Sequence, residues 1–355
     1  MEKDFVRINF VGDICLKNID DNTYFFSEGL ANYLKQADLN VANLECSITR
    51  SENPLKYQPI HLKAEPIRTR VFDLFDVYSL ANNHTMDYGK EGLQDTIQFL
   101  EGENKSYFGA GMNLEDALKP LTIVISGLKL AFFSFNRFNT AKKNLPGTAP
   151  EKIRRICNNI KDLKQKGYFI IVVPHWNYQW VDYPAPDERR KGYDMIKAGA
   201  DIVVGAHPHI VQGYENYNGK MIFHSLGNFV FRNTKYTKQI AQFGQTFVLT
   251  ININKKTKSY TFDIYPVYND NNGARFMDEK ESEEFNERLN RISEVLSDKW
   301  TSHLLFYKSG KNIEKNNKFV FSELNKDNGI RAILENYKIA NWQDVKRKIF
   351  TLLFK

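Results

Sequence analysis

The sequence has little cysteine and no long apolar run. Its three cysteines, Cys15, Cys46 and Cys157, are odd in number and widely spaced, which excludes a disulfide scaffold and favours reduced thiols. The apolar runs 169–173 and 349–354 are far shorter than the about 20 residues of a membrane-spanning helix. The chain enters a strand-like run soon after its first residues, without the apolar stretch of a signal peptide. We therefore expect a cytoplasmic protein with no membrane span.

The positively charged residues do not form a single basic stripe along the sequence. Lysine and arginine exceed aspartate and glutamate by 49 − 42 = +7. A positive balance favours an acidic partner, but the scattered lysines are not typical of a nucleic-acid-binding surface. We expect an anionic small-molecule or polymer substrate and no nucleic acid. Hydrophobic residues at 42% and charged residues at 26% are ordinary globular usage, which excludes disorder as the main state.

Strand-like runs alternate with helix-like segments over the first 205 residues. The patterns predict strands over 6–11, 39–44, 77–81, 168–173 and 201–205. They predict helices over 25–36, 67–75, 91–100, 151–166 and 187–198. This alternation is typical of a layered α/β fold with buried sheets.

Hairpins and helices follow the alternating part. We expect hairpins over 121–135, around the Asn218-Gly219 turn, and over 247–254 with 259–267. A polar loop at 269–273 then marks a change in composition. Amphipathic helices are predicted over 281–297 and 328–339. The chain is therefore divided into a main domain, 1–268, and a helical C-terminal extension, 269–355.

Polar residues follow five of the expected strands at the point where each strand ends. In chain order they are Asp13, Glu45, Asn82-Asn83-His84, His175 and His207-x-His209. Taken singly, Asp13 is also compatible with a turn or helix N-cap, and His175 with a hydrogen-bonded core histidine. Sites in α/β sheets lie beyond the carboxyl ends of the strands. The set as a whole therefore predicts a metal or polar catalytic centre.

The candidate ligands combine carboxylates, an amide and imidazoles. They are Asp13, Glu45, Asn83, His175, His207 and His209. Such oxygen and nitrogen ligation suits Mn²⁺, Fe²⁺ or Zn²⁺. A bridging carboxylate with imidazoles on either side is what a two-metal hydrolase needs, because paired ions stabilise both the attacking and the leaving oxygen. We expect one or two divalent transition metals.

His84 is the expected general acid, since it directly follows the amide ligand. Asp87, three residues further on, is expected to orient its imidazole. The alternative for Asp87 is the N-cap of a helix beginning near Lys90, and the two roles are compatible.

The motifs as a set resemble a known family. They are Gly12-Asp13, Asn43-Leu44-Glu45, the run 80–89, Pro174-His175-Trp176, the run 205–213 and the run 225–231. Over about residues 5–268 they resemble the capsule-synthesis (CapA, poly-γ-glutamate synthesis) family, a branch of the calcineurin-like metallophosphoesterase superfamily. The resemblance implies a four-layer α/β/β/α sandwich of metallophosphoesterase type with its site at one end of the two sheets. It implies the same six metal positions and His84 as the catalytic acid.

Two motifs depart from the family pattern. The fourth motif is usually His-Trp-Gly-x-Glu-Tyr, whereas this chain has the run 175–180, His-Trp-Asn-Tyr-Gln-Trp. The change alters the expected substrate rim, to which we assign Trp176, Gln179 and Asn82. The aromatic residues Trp176, Tyr178 and Trp180 are expected as walls for an organic part of the ligand, with the alternative that two of the three are core residues. Metallophosphoesterases at large begin with Asp-x-His, but here Cys15 follows Asp13 at that spacing. Cys15 is either a substitute ligand or a buried apolar residue.

Two functions follow from this sequence. The first is a metal-dependent hydrolase of metallophosphoesterase type, related to capsule or poly-γ-glutamate biosynthesis, which uses metal-activated water on an anionic phosphoester or an amide. The alternative is a non-catalytic polymer-binding or assembly subunit of a capsular polyglutamate synthesis machinery. Two divalent ions would bring about +4 against −2 from the carboxylates, which favours an anionic ligand. For the C-terminal extension, a lid, a dimer surface, a docking element and extra packing layers all stay open.

Overall fold

A computed structural model describes residues 4–56, 60–232, 240 and 242–309. The helix expected over 328–339 lies outside the described residues. None of the helices within the described ranges is long and apolar enough to cross a membrane.

The strands and helices alternate through the first two thirds of the chain. The strands in chain order are β1 (Phe5–Ile14), β2 (Phe25–Phe26), β3 (Leu39–Leu44), β4 (Ser47–Ile48), β5 (Lys63–Ala64), β6 (Val77–Ser79), β7 (Ser106–Phe108), β8 (Ala110–Gly111), β9 (Leu121–Ile125), β10 (Leu128–Phe135), β11 (Gly147–Thr148), β12 (Phe169–Pro174), β13 (Ile202–Val204), β14 (Val211–Tyr217), β15 (Lys220–Leu226), β16 (Asn228–Val230), β17 (Gln245–Asn254), β18 (Tyr260–Asn269) and β19 (Gly273–Phe276). The helices are α1 (Glu28–Lys35), α2 (Val71–Leu74), α3 (Gly89–Gly102), α4 (Leu114–Leu118), α5 (Ile153–Gln165), α6 (Pro186–Ala198), α7 (Glu279–Glu294) and α8 (299–309), with a 3₁₀ turn at Val295–Ser297.

The first large sheet is built around β1. Its order is β2-β19-β18-β17-β1-β3-β6-β7, with β16 beside the end of β1. The parallel register places Asp13 opposite Asn43 on one side and opposite Asn228 on the other. Because β1, β3 and β6 are parallel neighbours, their carboxyl ends lie at one edge of the sheet.

The second large sheet has the order β14-β15-β13-β12-β10-β9. Its strands β10, β12, β13 and β15 are parallel to one another. Beyond the end of β12, His175 forms an isolated parallel bridge with Ala206, which follows β13. The chain segments that leave β12 and β13 are thereby held side by side.

Three apolar cores separate four layers. The core between the sheets includes Phe10 of β1 and Phe132 of β10. The outer face of the first sheet packs against α1 and α3 through Leu30 and Leu93. The outer face of the second sheet packs against helices that include α5, which contributes Ile156. The expected α/β/β/α order of layers is confirmed.

Two of the expected hairpin turns form as two-residue loops. Ser126 and Gly127 have φ of 47° and 82°, and Asn218 and Gly219 have φ of 52° and 74°. Positive φ at both central residues is the requirement of a type I′ turn, whose twist matches that of the flanking strands. The hairpins β9–β10 and β14–β15 are therefore confirmed, as is the third expected hairpin, β17–β18.

Two expected helices are shorter than the sequence indicated. Phe25 and Phe26 form β2, which pairs with β19, and α1 begins only after Ser27, whose side chain accepts a hydrogen bond from Leu30 N. The helix expected over 67–75 is reduced to α2, since the backbone N–H of Arg70 is bonded to the carboxylate of Asp21 instead.

Residues after 268 contribute to the same body. β19 extends the first sheet between β18 and β2. The helix expected over 281–297 is confirmed as α7 with its 3₁₀ turn, and it places Phe285, Leu289 and Ile292 in the core between the sheets. The C-terminal helices are thus present, while the domain boundary at 268/269 stays a prediction.

Candidate metal centre

The two sheets bring all six expected metal-site residues to one edge. Asp13 lies near the end of β1, Glu45 follows β3, Asn83 lies beyond β6, His175 follows β12, and His207 and His209 lie beyond β13. Five of the six are buried and Asn83 is half-buried. The expected convergence of these residues is therefore found in the structure, whereas their role as ligands stays a prediction.

Glu45 is shared by two groups of side chains that have the spacing of metal ligands. The first group is Glu45, His207 and His209, and the second is Asp13, Glu45 and His175. Within each group the candidate ligand atoms all lie within 4.8 Å of one another. A carboxylate common to two such groups is the arrangement of a bridging ligand.

The oxygen Oε1 of Glu45 is the clearest sign that the site fits a cation. This buried atom has no hydrogen-bond partner among the described residues. It faces Nε2 of His209 at 3.5 Å and Nε2 of His175 at 3.7 Å. An unpaired carboxylate oxygen is costly to bury, and a divalent cation among these donors would satisfy it. The residues present therefore fit a divalent transition metal.

His209 is held with one particular nitrogen toward Glu45. Its Nδ1 lies 2.9 Å from Oδ1 of Asn228 and 3.4 Å from Oδ2 of Asp13. Because both neighbours are oxygen acceptors, Nδ1 is the protonated donor, and Nε2 keeps its lone pair. A second nitrogen fixed by such a hydrogen bond is typical of metal-ligating histidines.

His175 and Asn83 form the other side of the site. Nε2 of His175 lies 2.7 Å from Oδ1 of Asn83 and 3.7 Å from Oε1 of Glu45. The rings of His175 and His207 are 4.5 Å apart between centroids, which leaves little room for other side chains. Oxygen and nitrogen donors thus converge from both sheets.

Burial decides the charges of the site. It raises the pKa of Glu45 well above its ordinary value, and the nearby Asp13 carboxylate adds to the rise. Burial, with a contribution from the neighbouring imidazoles, lowers the pKa values of His175 and His207 well below the ordinary range. These histidines are therefore neutral, which is the form that ligates a metal.

Backbone strain occurs at two of the candidate ligands. His207 and His209 have φ of 94° and 60°, in the left-handed region that residues with a side chain seldom adopt. Strain of this kind costs of order 1–3 kcal/mol per residue and is found mainly at functional sites. Gly12 allows the chain to come close on the other side, because a Cβ there would lie 1.8 Å from the carbonyl oxygen of Gly227.

Two asparagines that the sequence did not mark as site residues organise the ligands. Asn43 donates through Nδ2 to Asp13 at 2.8 Å and lies 3.4 Å from both Glu45 and His175. Asn228 holds Nδ1 of His209, as described above. A signal for Asn43 was available, because the period of two along a strand places it on the same face as Glu45.

Asn82 differs from its expected substrate-binding role. Its Nδ2 donates to the carbonyl oxygen of Leu44 at 2.7 Å and to Asn43 at 3.2 Å. Its Oδ1 accepts hydrogen bonds from the backbone of His84 and the hydroxyl of Thr85. With these partners and no exposure, Asn82 positions the loop that carries Asn83 and His84.

His84 and Asp87 form a pair beside the candidate ligands. Nδ1 of His84 donates to Oδ2 of Asp87 at 2.8 Å, and the backbone N–H of Leu62 donates to the same oxygen at 2.6 Å. The helix α3 begins at Gly89 with Tyr88 as its cap, so Asp87 does not cap this helix. The geometry leaves Nε2 of His84 as the nitrogen that is free of this pair.

Trp176 also differs from its expected place on the substrate rim. Its ring is 1% exposed and packs edge-on against Phe135 in the outer core of the second sheet. It lies directly on Gly205, where an added Cβ would be 2.1 Å from the indole nitrogen. Its surroundings are those of a core residue, because successive residues of an extended chain point to opposite sides and His175 takes the site side.

Gln179 and Trp180 lie against His209. Nε2 of Gln179 is 3.3 Å from Nε2 of His209, and the Trp180 ring is stacked on the imidazole with 4.8 Å between centroids. Gln179 is therefore at the site, and its expected substrate-binding role stays a prediction.

Cys15 belongs to an apolar core rather than to the candidate ligand groups. It is buried with Cys46 in the outer core of the first sheet. A hydrogen bond with Cys46 and burial raise the pKa of its thiol well above the ordinary value. Cys15 belongs to neither of the ligand groups found among the described residues, so the geometry favours an apolar core cysteine over a substitute ligand.

Comparison with known proteins gives a consistent set of relatives. The model of the bacterial capsule synthesis protein family PGA_cap matches residues 7–233. The chain is 33% identical over 245 residues to the PGA biosynthesis protein CapA of Bacillus subtilis, which covers 64% of each chain. It is 32% identical over 250 residues to the capsule biosynthesis protein CapA of Bacillus anthracis, which covers 65% of this chain and 61% of that protein. The chain thus spans less than two thirds of the length of these relatives.

Among solved structures, one to which the chain is similar is a novel phosphatase from Mycoplasma pneumoniae. The two chains share 12% sequence identity with a TM-score of 0.44, and the match covers 79% of this chain and 98% of the other.

Proposed function

The chain belongs to the PGA_cap family of bacterial capsule synthesis proteins, and we propose that it is a metal-dependent hydrolase acting on an anionic phosphoester or amide. We further propose that its reaction serves capsule or poly-γ-glutamate biosynthesis, as the names of its relatives suggest for those proteins. The alternative of a non-catalytic assembly subunit gains no comparable support from the site.

The observation that carries the proposal is the position of Glu45. Its unpaired, buried oxygen lies within 3.7 Å of two imidazoles from the opposite sheet, and its carboxylate is common to both ligand groups. If this cluster had only a structural role, a protein hydrogen-bond donor would be expected to pair with the Glu45 oxygen. A cation-binding site instead leaves the oxygen available to coordinate an ion.

Each of the two ligand groups would hold one ion. The first ion would be bound by Glu45, His207 and His209. The second would be bound by Asp13, Glu45 and His175, and Asn83 lies close to this second group through its contact with His175. The donor set suits manganese, iron or zinc. When bound, such an ion supplies Lewis-acid polarisation and lowers the pKa of water. Asn43 and Asn228 hold the ligands in place through the hydrogen bonds described above.

His84 is the proposed general acid. Asp87 accepts a hydrogen bond from Nδ1 and fixes the ring. With Nδ1–H held by this bond, the imidazolium form of His84 can donate the proton of Nε2 to a leaving oxygen or nitrogen. A non-catalytic polymer-binding site would have no need of this dyad. General acid catalysis of this kind contributes about 10²–10⁴-fold to the rate.

The substrate is proposed to be anionic because of the charge of the loaded site. Two divalent ions bring about +4 against the −2 of Asp13 and Glu45, and the other candidate ligands are neutral. A phosphate or a carboxylate of a polymer would complete this charge.

The test is a turnover screen on the full chain loaded in turn with Mn²⁺, Fe²⁺ and Zn²⁺. Phosphoesters and γ-glutamyl amides are the two substrate classes to compare. The control is Glu45→Gln, which replaces the shared carboxylate by a neutral amide with a single ligating oxygen and so removes its ability to bridge two ions through two oxygens. We expect metal-dependent turnover in one class, lost in the control. A protein that binds metal tightly but turns over neither class would overturn the hydrolase and favour the assembly subunit.

A further inference from the structure

The side chain of Gln179 lies against the ring nitrogen of His209 that is proposed to face the metal. Its amide Nε2 lies 3.3 Å from Nε2 of His209, the same ring atom that faces Glu45 Oε1 at 3.5 Å. Since Nδ1 of His209 is the protonated nitrogen, Nε2 accepts, and the amide of Gln179 donates to it. The amide N–H of Gln179 is thus directed at the lone pair of His209 Nε2, which a bound cation would otherwise occupy.

We propose that Gln179 supplies its amide oxygen as a further ligand to the ion held by Glu45, His207 and His209. This inference rests on the proposed function, because it requires the metal centre described there. It assigns to Gln179 a role beyond contact with substrate.

The spacing of the donors supports this assignment. For ligands about 2.1 Å from an ion in a tetrahedral arrangement, neighbouring ligand atoms are roughly 3.4 Å apart. The two measured distances from Nε2 of His209, 3.3 Å to the Gln179 amide and 3.5 Å to Glu45 Oε1, both agree with that value. The side chain therefore already has the reach of a ligand.

A half-turn of the Gln179 amide exchanges the donor for an acceptor. Turning the amide about its last single bond replaces Nε2 by Oε1 at almost the same place. The amide oxygen is a ligand for divalent cations, whereas the amide nitrogen is not. Gln179 can thus donate to His209 before an ion binds and coordinate the ion afterwards, with no change of the backbone.

The backbone around Gln179 is fixed on both sides. Trp180 has φ of 61° and donates its N–H to the carbonyl oxygen of Pro208 at 3.0 Å, while its ring is stacked between His209 and Phe243. On the other side, Tyr178 packs against Phe306 of α8 with 5.2 Å between ring centroids. A side chain with such anchors reaches the same point repeatedly, which is what a ligand requires.

The test measures metal binding rather than activity. Titration of the metal-free full chain with Co²⁺ gives both an affinity and a visible spectrum that reports on coordination. We expect Gln179→Leu to weaken binding about tenfold and to change the spectrum, and Gln179→Glu, which adds a charged oxygen, to tighten it about tenfold. The matched control is Gln94→Leu, since Gln94 is an exposed amide on α3, and it should leave both readouts unchanged.

The outcomes separate this inference from the proposed function. If the wild type binds Co²⁺ and both Gln179 variants match its affinity and spectrum, Gln179 is not a ligand, while the metal centre stands. If the wild type binds no metal, the proposed centre fails and the ligand with it. Should Gln179→Leu fold poorly by circular dichroism, Gln179→Glu decides: unchanged affinity and spectrum overturn the inference.

Discussion

The carboxylate of Asp87 accepts a hydrogen bond from Nδ1 of His84 at 2.8 Å while a backbone N–H from Leu62 holds the same oxygen at 2.6 Å. The pair is buried, with His84 8% exposed and Asp87 fully enclosed. It lies next to the candidate ligands and belongs to neither ligand group among the described residues. This geometry separates the proposed proton donor from the candidate metal ligands, so that the two proposed roles can be tested independently.

His84→Asn should lower kcat strongly without loss of metal. Removal of a general acid costs about 10²–10⁴-fold, and the loss should shrink for a substrate whose leaving group needs no proton, such as p-nitrophenolate. Asp87→Asn should show a smaller decrease of the same kind. Steady-state kinetics with good and poor leaving groups, together with metal analysis of each variant, checks this. Loss of metal from the His84 variant would show that it is a ligand.

Inorganic phosphate should bind only when metal is present. The net positive charge of the loaded centre attracts the anion, so millimolar phosphate should raise the Tm of the metal-loaded protein and inhibit turnover competitively. The metal-free protein and Glu45→Gln should show no shift. Equal shifts in all three samples would mean that the anion binds elsewhere.

The decrease of the free energy of unfolding at acid pH should depend on Glu215. Burial alone would raise its pKa, but hydrogen bonds from His224 and Arg189 outweigh burial and bring the pKa of Glu215 to about 2. Since the unfolded value is about 4.3, this carboxylate stabilises the fold above that pH, and its contribution of about 3 kcal/mol is lost as the pH falls from about 5 toward 2.

Urea unfolding between pH 3 and 6 measures this contribution. Glu215→Gln should be less stable at pH 6, and its free energy of unfolding should fall less steeply toward pH 3. Glu283→Gln is the control, because Glu283 is exposed on α7. An unchanged slope in Glu215→Gln would remove this carboxylate as the cause.

The helix α7 should be part of the core rather than an appendage. Leu289 is 2% exposed and lies between the sheets, so Leu289→Ala should cost about 2–5 kcal/mol of unfolding free energy. Leu304→Ala is matched to it in residue type but lies on the exposed side of α8, and should change stability by less than about 0.5 kcal/mol. Similar small effects for both would support a separable extension.

The layers of the fold and the sheet edge where the site lies could both be predicted from the sequence. Parallel strands that each end in Asp, Glu, Asn or His can be recognised from alternation alone, as with Glu45 after β3. The strand β2 could not be predicted, because Phe25 and Phe26 pair with β19 about 250 residues away. Long-range contacts of this kind cannot be predicted from any local sequence pattern.

The roles of individual side chains were harder to predict than their location. Asn82 and Asn83 are adjacent and chemically identical, but only Asn83 faces His175, while Asn82 supports the loop. Trp176 was expected at the rim and lies in the core. Asn228 belongs to the motif at 225–231, and its contact with His209 depends on the parallel register of β1 and β16.

The metal content of the purified full chain tests the central claim most directly. Element analysis after exposure to Mn²⁺, Fe²⁺ or Zn²⁺ and removal of free metal should give about one to two equivalents in the wild type. His207→Ala and His209→Ala should each lower this content, and Glu45→Gln should lower it most, because Glu45 belongs to both ligand groups. A wild type that takes up no transition metal, or a Glu45→Gln variant with undiminished content, would contradict the account.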